Sequence, residues 1–433
     1  MRIAYIAAGA AGMYCGSCLH DNTLARALMD RGEDILLVPT YTPIRTDEVD
    51  VSHQQVFYGG INVYLQQKFP LFRRTPRWVD WLFDQPWMLN MATRGGPSVD
   101  ASKLGDMTVS MLQGEAGHQR KELVRLVDWL LDEVKPDVVH LSNAMLMGFA
   151  RLIADRGGPP VVCSLSGEDI FLEKLTPPYY DQARALLCER ARDCNAFVSL
   201  NEYYANFMCD YLDIDRDRVH VIPHGLDLEG HAPADQPPRQ LVVGCLARIC
   251  HDKGLHLLVE ACEHLRRTAP EIDFRLQVAG YLGKSDEPYL REIEARVAKG
   301  PLSGRFDYLG ELDRAGKIAF LQSLSVFALP TVYAESKGLP VLEAWANGLP
   351  VILPEHGSFT EMVTDTAGGV LHVPHDTLDL AGRLAELLVD AELRATLGQA
   401  GRAAIEQRYR ASHMAEAHMQ LYRTLAGSLK TSG

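Results

Sequence analysis

No apolar run in this 433-residue chain approaches the roughly 18 residues that cross a bilayer as a helix, so no spanning helix is expected. Low-complexity tracts are missing too, and 47% hydrophobic with 23% charged residues is the make-up of a folded globular protein. Positive charge is in deficit: 43 Lys+Arg against 56 Asp+Glu leave a formal charge of −13. That argues against a general nucleic-acid binder, which needs a basic surface, but not against a local basic pocket for a small phosphate. Cysteines number nine, an odd count mostly in apolar or helical surroundings, so a disulfide framework is not expected. The start, Met1-Arg2-Ile3-Ala4-Tyr5-Ile6, leads straight into a strand pattern without the basic region, apolar core and cleavage site of a signal peptide. A cytoplasmic protein is the expectation. There is no H-E-x-x-H and no Ser/His/Asp set, which leaves a zinc protease or a triad hydrolase without support.

What is present is a repeated rhythm, in a chain long enough for two or three domains. Residues 3–8, 35–38, 137–141, 161–165, 196–200 and 219–223 read as strands. Between them, 23–31 reads as a helix closed by Gly32. Leu123, Leu126, Val127, Leu130, Leu131 and Val134 lie on one face of another, which Pro136 stops. Residues 229–240 are polar and proline-rich, the best linker in the chain. After them the rhythm restarts with strand 241–246, helix 255–266 and strands 274–279, 326–329 and 351–353. A long helical pattern over 403–425 has no following strand. The expected class is α/β: two doubly wound parallel-sheet domains, 1–228 and 241–405, with 229–240 as hinge. Residues 406–433 would form a terminal helix packed back on the first domain. A ligand is expected in a central cleft, outside the carboxyl ends of the strands.

Residues 56–120 do not fit the rhythm. Aromatics and arginines interleave over 66–87, including Arg73, Arg74 and Arg77. One reading is a peripheral membrane or lipid-acceptor face. The more ordinary one is a packed helical excursion with snorkelling arginines.

The chemistry concentrates on Glu335-Ser336-Lys337-Gly338-Leu339-Pro340-Val341-Leu342-Glu343. An apolar strand precedes it, Pro340 suits the first turn of a helix, and Gly348 suits a left-handed cap at its end. Two glutamates in isolation are more often solvated surface residues than a site. Here they flank a strand–loop–helix corner whose backbone N–H groups favour an anion. After strand 241–246, Arg248 and Lys253 lie on one loop: a guanidinium can fork onto two oxygens and an ammonium acts as a point charge, which suits a diphosphate. Gly9, Gly12 and Gly16 bracket the first strand–helix turn without the G-x-G-x-x-G spacing. Cys15-Gly16-Ser17-Cys18 at a helix start allows a redox reading, though no second C-x-x-C exists to complete a zinc site. Asp213-Ile214-Asp215 reads as a surface loop.

Taken together these segments resemble the retaining GT-B glycosyltransferases of family 4. Glu335 to Glu343 resembles that family's E-x7-E signature, Arg248…Lys253-Gly254 its phosphate loop, and Val221-Ile222-Pro223-His224-Gly225-Leu226-Asp227 its I-P-N-G-V-D segment. Phe306 to Leu312 is similar to its base-holding strand and turn. The resemblance covers nearly the whole chain and implies a metal-independent transfer of a sugar from a nucleoside-diphosphate sugar, without cofactor and with retention of configuration. The acceptor would be a saccharide, a lipid or a small molecule. It implies Glu335 at the transferred sugar and Glu343 on the ribose. Gly16, Arg248, Lys253, Gly280, Leu312, Lys337, Gly338 and Leu339 would line the donor. The family's Gly-Gly loop is Cys15-Gly16 here, and its histidine after strand 161–165 is replaced within Leu165-Ser166-Gly167-Glu168-Asp169. Ser166, Glu168 and Asp169 are therefore the candidates for sugar or acceptor contacts. A nucleotide-sugar epimerase of the same fold is the nearest alternative.

Overall fold

In the computed structural model, residues 1–9, 16–53, 67, 104–236 and 238–431 are described, with side chains to residue 427. Most of 56–120, with the whole aromatic–arginine run except Gln67, lies outside the described residues, as do Gly12 and Cys15. The chain forms two compact units, Met1–Gly225 with Ala411–Gly433, and Leu226–Arg410.

The first unit holds a parallel sheet of Arg2–Ala7 (β1), Asp34–Pro39 (β2), Val138–Leu141 (β3), Val161–Leu165 (β4), Ala196–Ser199 (β5) and Val219–Val221 (β6), in the order β2-β1-β3-β4-β5-β6. β3, β4 and β5 are buried at every position, as expected of continuous apolar strands covered by helices on both faces. The helices Gly16–Asp30 and Ala411–Thr431 pack together on this unit. Helix Gly105–Leu112 packs on Tyr179–Arg190, where a Cβ at Gly105 would lie 2.3 Å from the Tyr179 ring. The end of the 56–120 segment is thus part of this unit's helical layer.

The second unit repeats the plan with Leu241–Leu246 (β7), Phe274–Ala279 (β8), Phe306–Tyr308 (β9), Val326–Ala328 (β10), Val351–Pro354 (β11) and Gly369–His372 (β12). Its order is β12-β11-β10-β7-β8-β9, all parallel. Counted from its own first strand, this is the doubly wound order in which direction reverses between the first and fourth strands, here β7 and β10. Helix Leu339–Ala346 buries Trp345, whose indole N–H donates to the Gly368 carbonyl at 2.9 Å.

Two expectations need correction. The polar 229–240 stretch is not where the chain changes units: the divisions fall at Gly225/Leu226 and Arg410/Ala411. Its first residues are tied to the second unit, because Arg314 donates to the carbonyls of Asp227 and Glu229 and Arg402 to that of His231. His231 is buried, its ring 2.9 Å from Asn347 Nδ2. The terminal pattern is also two helices, Ala391–Arg408 and Ala411–Thr431, not one. The break at Tyr409 is held by the Leu226 N–H, which donates to the Tyr409 carbonyl at 2.7 Å. Among the described residues no helix is long and apolar enough to cross a membrane.

Candidate active site

In open α/β sheets a ligand sits outside the carboxyl ends of the strands where the order reverses. In the second unit that place is beyond β7 and β10, and the two loops leaving those strands carry the Arg248–Lys253 and Glu335 motifs. Gly254 lets them meet. Its φ is +74°, and a Cβ there would fall 1.8 Å from the Pro330 carbonyl oxygen. The Val332 N–H donates to the Asp252 carbonyl at 2.9 Å and fastens one loop to the other.

This approach brings Lys253 onto Glu335. Lys253 Nζ is 2.6 Å from Glu335 Oε2 and 2.5 Å from the Tyr333 hydroxyl, which donates to the same carboxylate oxygen at 2.7 Å. Glu335 Oε1 accepts the backbone N–H groups of Ser336 and Lys337, each at 3.2 Å. Burial pushes the Glu335 carboxyl up, but the charge and hydrogen bond of Lys253, with the Tyr333 hydroxyl, outweigh it and hold the group at about 2. Burial likewise works against the Lys253 charge, and Glu335 more than restores it, leaving the ammonium above its ordinary range. Both groups are ionised at neutral pH. Arg248 is exposed, its Nε donating to Cys250 Sγ at 3.4 Å, and no ion pair is recorded for it among the described residues.

Glu343 has a different partner. It is 4% exposed on helix Leu339–Ala346 and paired with Lys317, itself 7% exposed, from helix Arg314–Gln322. The view of both glutamates as solvated surface residues therefore fails: Glu335 is only 7% exposed. Gly338 caps the start of the helix at φ +69°, where a Cβ would meet Met362 Sδ at 2.5 Å, and Leu339 is its first residue. Gly348, at φ +71°, closes it as expected: its N–H bonds the Trp345 carbonyl and that of Leu349 bonds the Ala344 carbonyl. Gly280 adopts φ +140°, and a Cβ there would lie 1.9 Å from the Ala247 carbonyl oxygen. The Tyr308 hydroxyl donates to the Gly280 carbonyl at 2.9 Å, and the Gly280 N–H to that of Gly310 at 2.8 Å. Leu312, half-buried against the core, follows that turn.

In the first unit Ser166, Glu168 and Asp169 follow β4. Glu168 is buried and accepts from the Ala144 N–H at 3.0 Å, the Ser166 N–H at 2.8 Å, the Ser166 hydroxyl at 3.3 Å and the Tyr204 hydroxyl at 3.2 Å. Its carboxylate braces the loop between β4 and helix Asp169–Leu172. Asp169 opens helix Asp169–Leu172 half-buried and accepts from the Tyr204 hydroxyl at 2.6 Å. Gly16 is the exposed first residue of helix Gly16–Asp30, and Cys18 is buried within it. Asp213 caps helix Glu202–Leu212 at φ 56° and, like Asp215, is exposed, as the surface-loop reading expects. Sequence reasoning missed Tyr333 and Lys317. For Tyr333 the available signal was its place two residues before Glu335; for Lys317, 26 residues from Glu343, there was none.

The chain is similar to known proteins over both units. Residues 109–229 match the family described as Glycosyltransferase Family 4, and residues 230–404 the one described as Glycosyl transferases group 1. A D-inositol 3-phosphate glycosyltransferase of Xylanimonas cellulosilytica is 33% identical over 400 residues, covering 84% of this chain and 91% of that protein. Against four other curated relatives the chain spans only 58–66% of their length. Among solved structures, sucrose-phosphate synthase from Thermosynechococcus elongatus superposes with a TM-score of 0.73 at 17% identity, covering 99% of this chain and 100% of that one. Anabaena HepE in complex with UDP does so with 0.68 at 16%, covering 98% and 100%. At such identities the likeness shows the fold, which is GT-B. The redox reading of Cys15 and Cys18 has no counterpart in these matches. With both halves matched and one relative aligned over most of its length, the chain belongs to the group 1 glycosyltransferases of family 4.

Proposed function

We propose that this chain is a retaining, metal-independent hexosyltransferase that uses a nucleoside-diphosphate sugar. The observation that carries the reading is the charged Lys253 held on Glu335 where the sheet order reverses, with Arg248 on the same loop. Breaking the anomeric bond leaves negative charge on the departing diphosphate. Arg248, Lys253 and the N-terminus of helix Leu339–Ala346 are fixed donors for that charge and need no reorganisation as it develops. Glu335, ionised and saturated with donors, is no general acid: its part is to hold Lys253 and the backbone at 336–337 in place beside the sugar. The leaving phosphate takes the acceptor proton. Glu343 binds the ribose hydroxyls, and Asp169 with Ser166 reads the acceptor.

The named activity of the relative makes a polyol phosphate, D-inositol 3-phosphate, the first acceptor to try. The test is release of free nucleotide from a panel of nucleotide-sugars, wild type against Glu335→Ala. Release abolished by the substitution supports the reading; no release, or release unaffected by it, sinks it. Unchanged turnover in Asp169→Asn would remove Asp169 from the acceptor site. Co-sedimentation with anionic vesicles, lost when Arg73, Arg74 and Arg77 are replaced, would favour a lipid acceptor instead.

A further inference from the structure

Tyr333 lies at the centre of the charged pair and has no part in the assignments above. Its hydroxyl is engaged on both sides, accepting from Lys253 Nζ at 2.5 Å and donating to Glu335 Oε2 at 2.7 Å. The ammonium also lies 4.9 Å from the centroid of the Tyr333 ring, within cation–π range. The backbone is held as well, since Thr331 Oγ1 donates to the Tyr333 carbonyl at 3.0 Å. Tyr333 therefore arrives as a fixed group, not a mobile one.

The consequence concerns direction. An ammonium is a point charge on a flexible stem with three N–H donors. Anchored on Glu335 Oε2 alone, Lys253 could pivot about that one contact. With a second anchor on the Tyr333 oxygen, the orientation of the remaining N–H is set. We propose that Tyr333 is a positioning residue of the donor site: by clamping Lys253 against Glu335, it aims the remaining Lys253 N–H at a phosphate oxygen of a nucleoside diphosphate. It contacts neither sugar nor phosphate in this role. The proposal rests on the reading of Lys253 as a diphosphate ligand.

The test uses the full chain and whichever of UDP, GDP and ADP raises the wild-type melting temperature, since a ligand that binds only the folded protein stabilises it. Affinities are measured in a double-mutant cycle of Tyr333→Phe, Lys253→Met and the two combined. Tyr333→Phe keeps the ring and removes only the hydroxyl. The diphosphate should bind about tenfold more weakly, the scale of one charge-assisted hydrogen bond. That loss should vanish in the Lys253→Met background. Affinity for the matching nucleoside, which carries no phosphate, should stay at the wild-type value, a result that general distortion of the loop would not give. Wild-type diphosphate affinity in Tyr333→Phe, or the same loss with Lys253 already replaced, would overturn the positioning role while leaving the donor site standing. If none of the three nucleotides shifts wild-type melting, the donor-site reading falls and this proposal with it.

Discussion

The two units share one plan, a six-stranded parallel sheet between helices, yet the polar groups buried where each strand order reverses are of different kinds. In the first unit the polar groups lie inside the layers. Tyr5 on β1 donates to Asp21 at 2.8 Å, and His140 on β3 is bonded to Tyr422 at 2.5 Å and Ser164 at 2.8 Å. His418 is bonded to the Met414 carbonyl at 2.8 Å. Burial pushes His140 and His418 down, His418 to about 4, and pushes Tyr5 and Tyr422 up, so these four are neutral at neutral pH. In the second unit the groups on the loops leaving β7 and β10 are ions, Lys253 with Glu335, and Lys317 with Glu343 forms another buried pair. The difference teaches what contact does to a buried titratable group: His140 and His418, without a carboxylate in contact, stay neutral, and Lys253 and Glu335, in contact with each other, keep their charges. Both arrangements lie where a strand order reverses, between β1 and β3 in the first unit and between β7 and β10 in the second, and the second supplies a cation there.

The largest effect is expected from Lys317→Met. It strands the buried Glu343 carboxylate, and losing one partner of a buried pair costs about 3–5 kcal/mol. Hydrogen exchange should show the loss in the second unit and leave the first unchanged; equal loosening of both would break the comparison.

Acid should then separate the two designs. The unfolded chain binds a proton at His418 near the ordinary histidine value, and the folded one only near 4. Stability therefore falls as pH drops from about 6.5 to 4, by about 3 kcal/mol from this group. Glu335 acts lower: its contribution is complete above its unfolded value and is lost as pH falls through about 2. His140 and His220 of the first unit and His256, His356 and His372 of the second are also pushed down by burial, so the variant isolates one share of the effect. His418→Phe should make the upper window shallower by that share and leave the lower one intact, read from unfolding free energy against pH. At the alkaline side, Glu335→Gln should let Lys253 deprotonate, so nucleotide affinity declines from pH 7 to 9 where wild type is flat.

Smaller losses should follow at two close contacts. Gly254→Ala forces a side chain into a left-handed position against the Pro330 carbonyl, about 1–3 kcal/mol, and should weaken nucleotide binding with it. Tyr422→Phe leaves His140 without one partner, at about 1 kcal/mol, and should raise exchange in helix Ala411–Thr431 without touching nucleotide affinity.

Legibility followed the same division. β4 and β7 were readable to the residue because nearly continuous apolar runs bounded by turn residues leave little choice, and β8 because its apolar residues alternate with Arg275 and Gln277. β12, Gly369–His372, was not: it pairs with β11 alone, and three of its four residues are only half-buried, so its apolar signal is weak. The terminal helical period runs unbroken through Tyr409, where the helix ends and the Leu226 N–H, from far away in sequence, donates to the Tyr409 carbonyl.

By itself the sequence determined the alternation of strand and helix, the glycines at the corners and the residue types able to hold a diphosphate, because these are local or periodic properties. Tertiary structure alone decided the partners: that Lys253 serves Glu335, 82 residues away, that Tyr333 joins them, and that Glu343 belongs to Lys317. Burial and contact across such separations depend on how the layers pack, and packing leaves no period in the chain from which to read it.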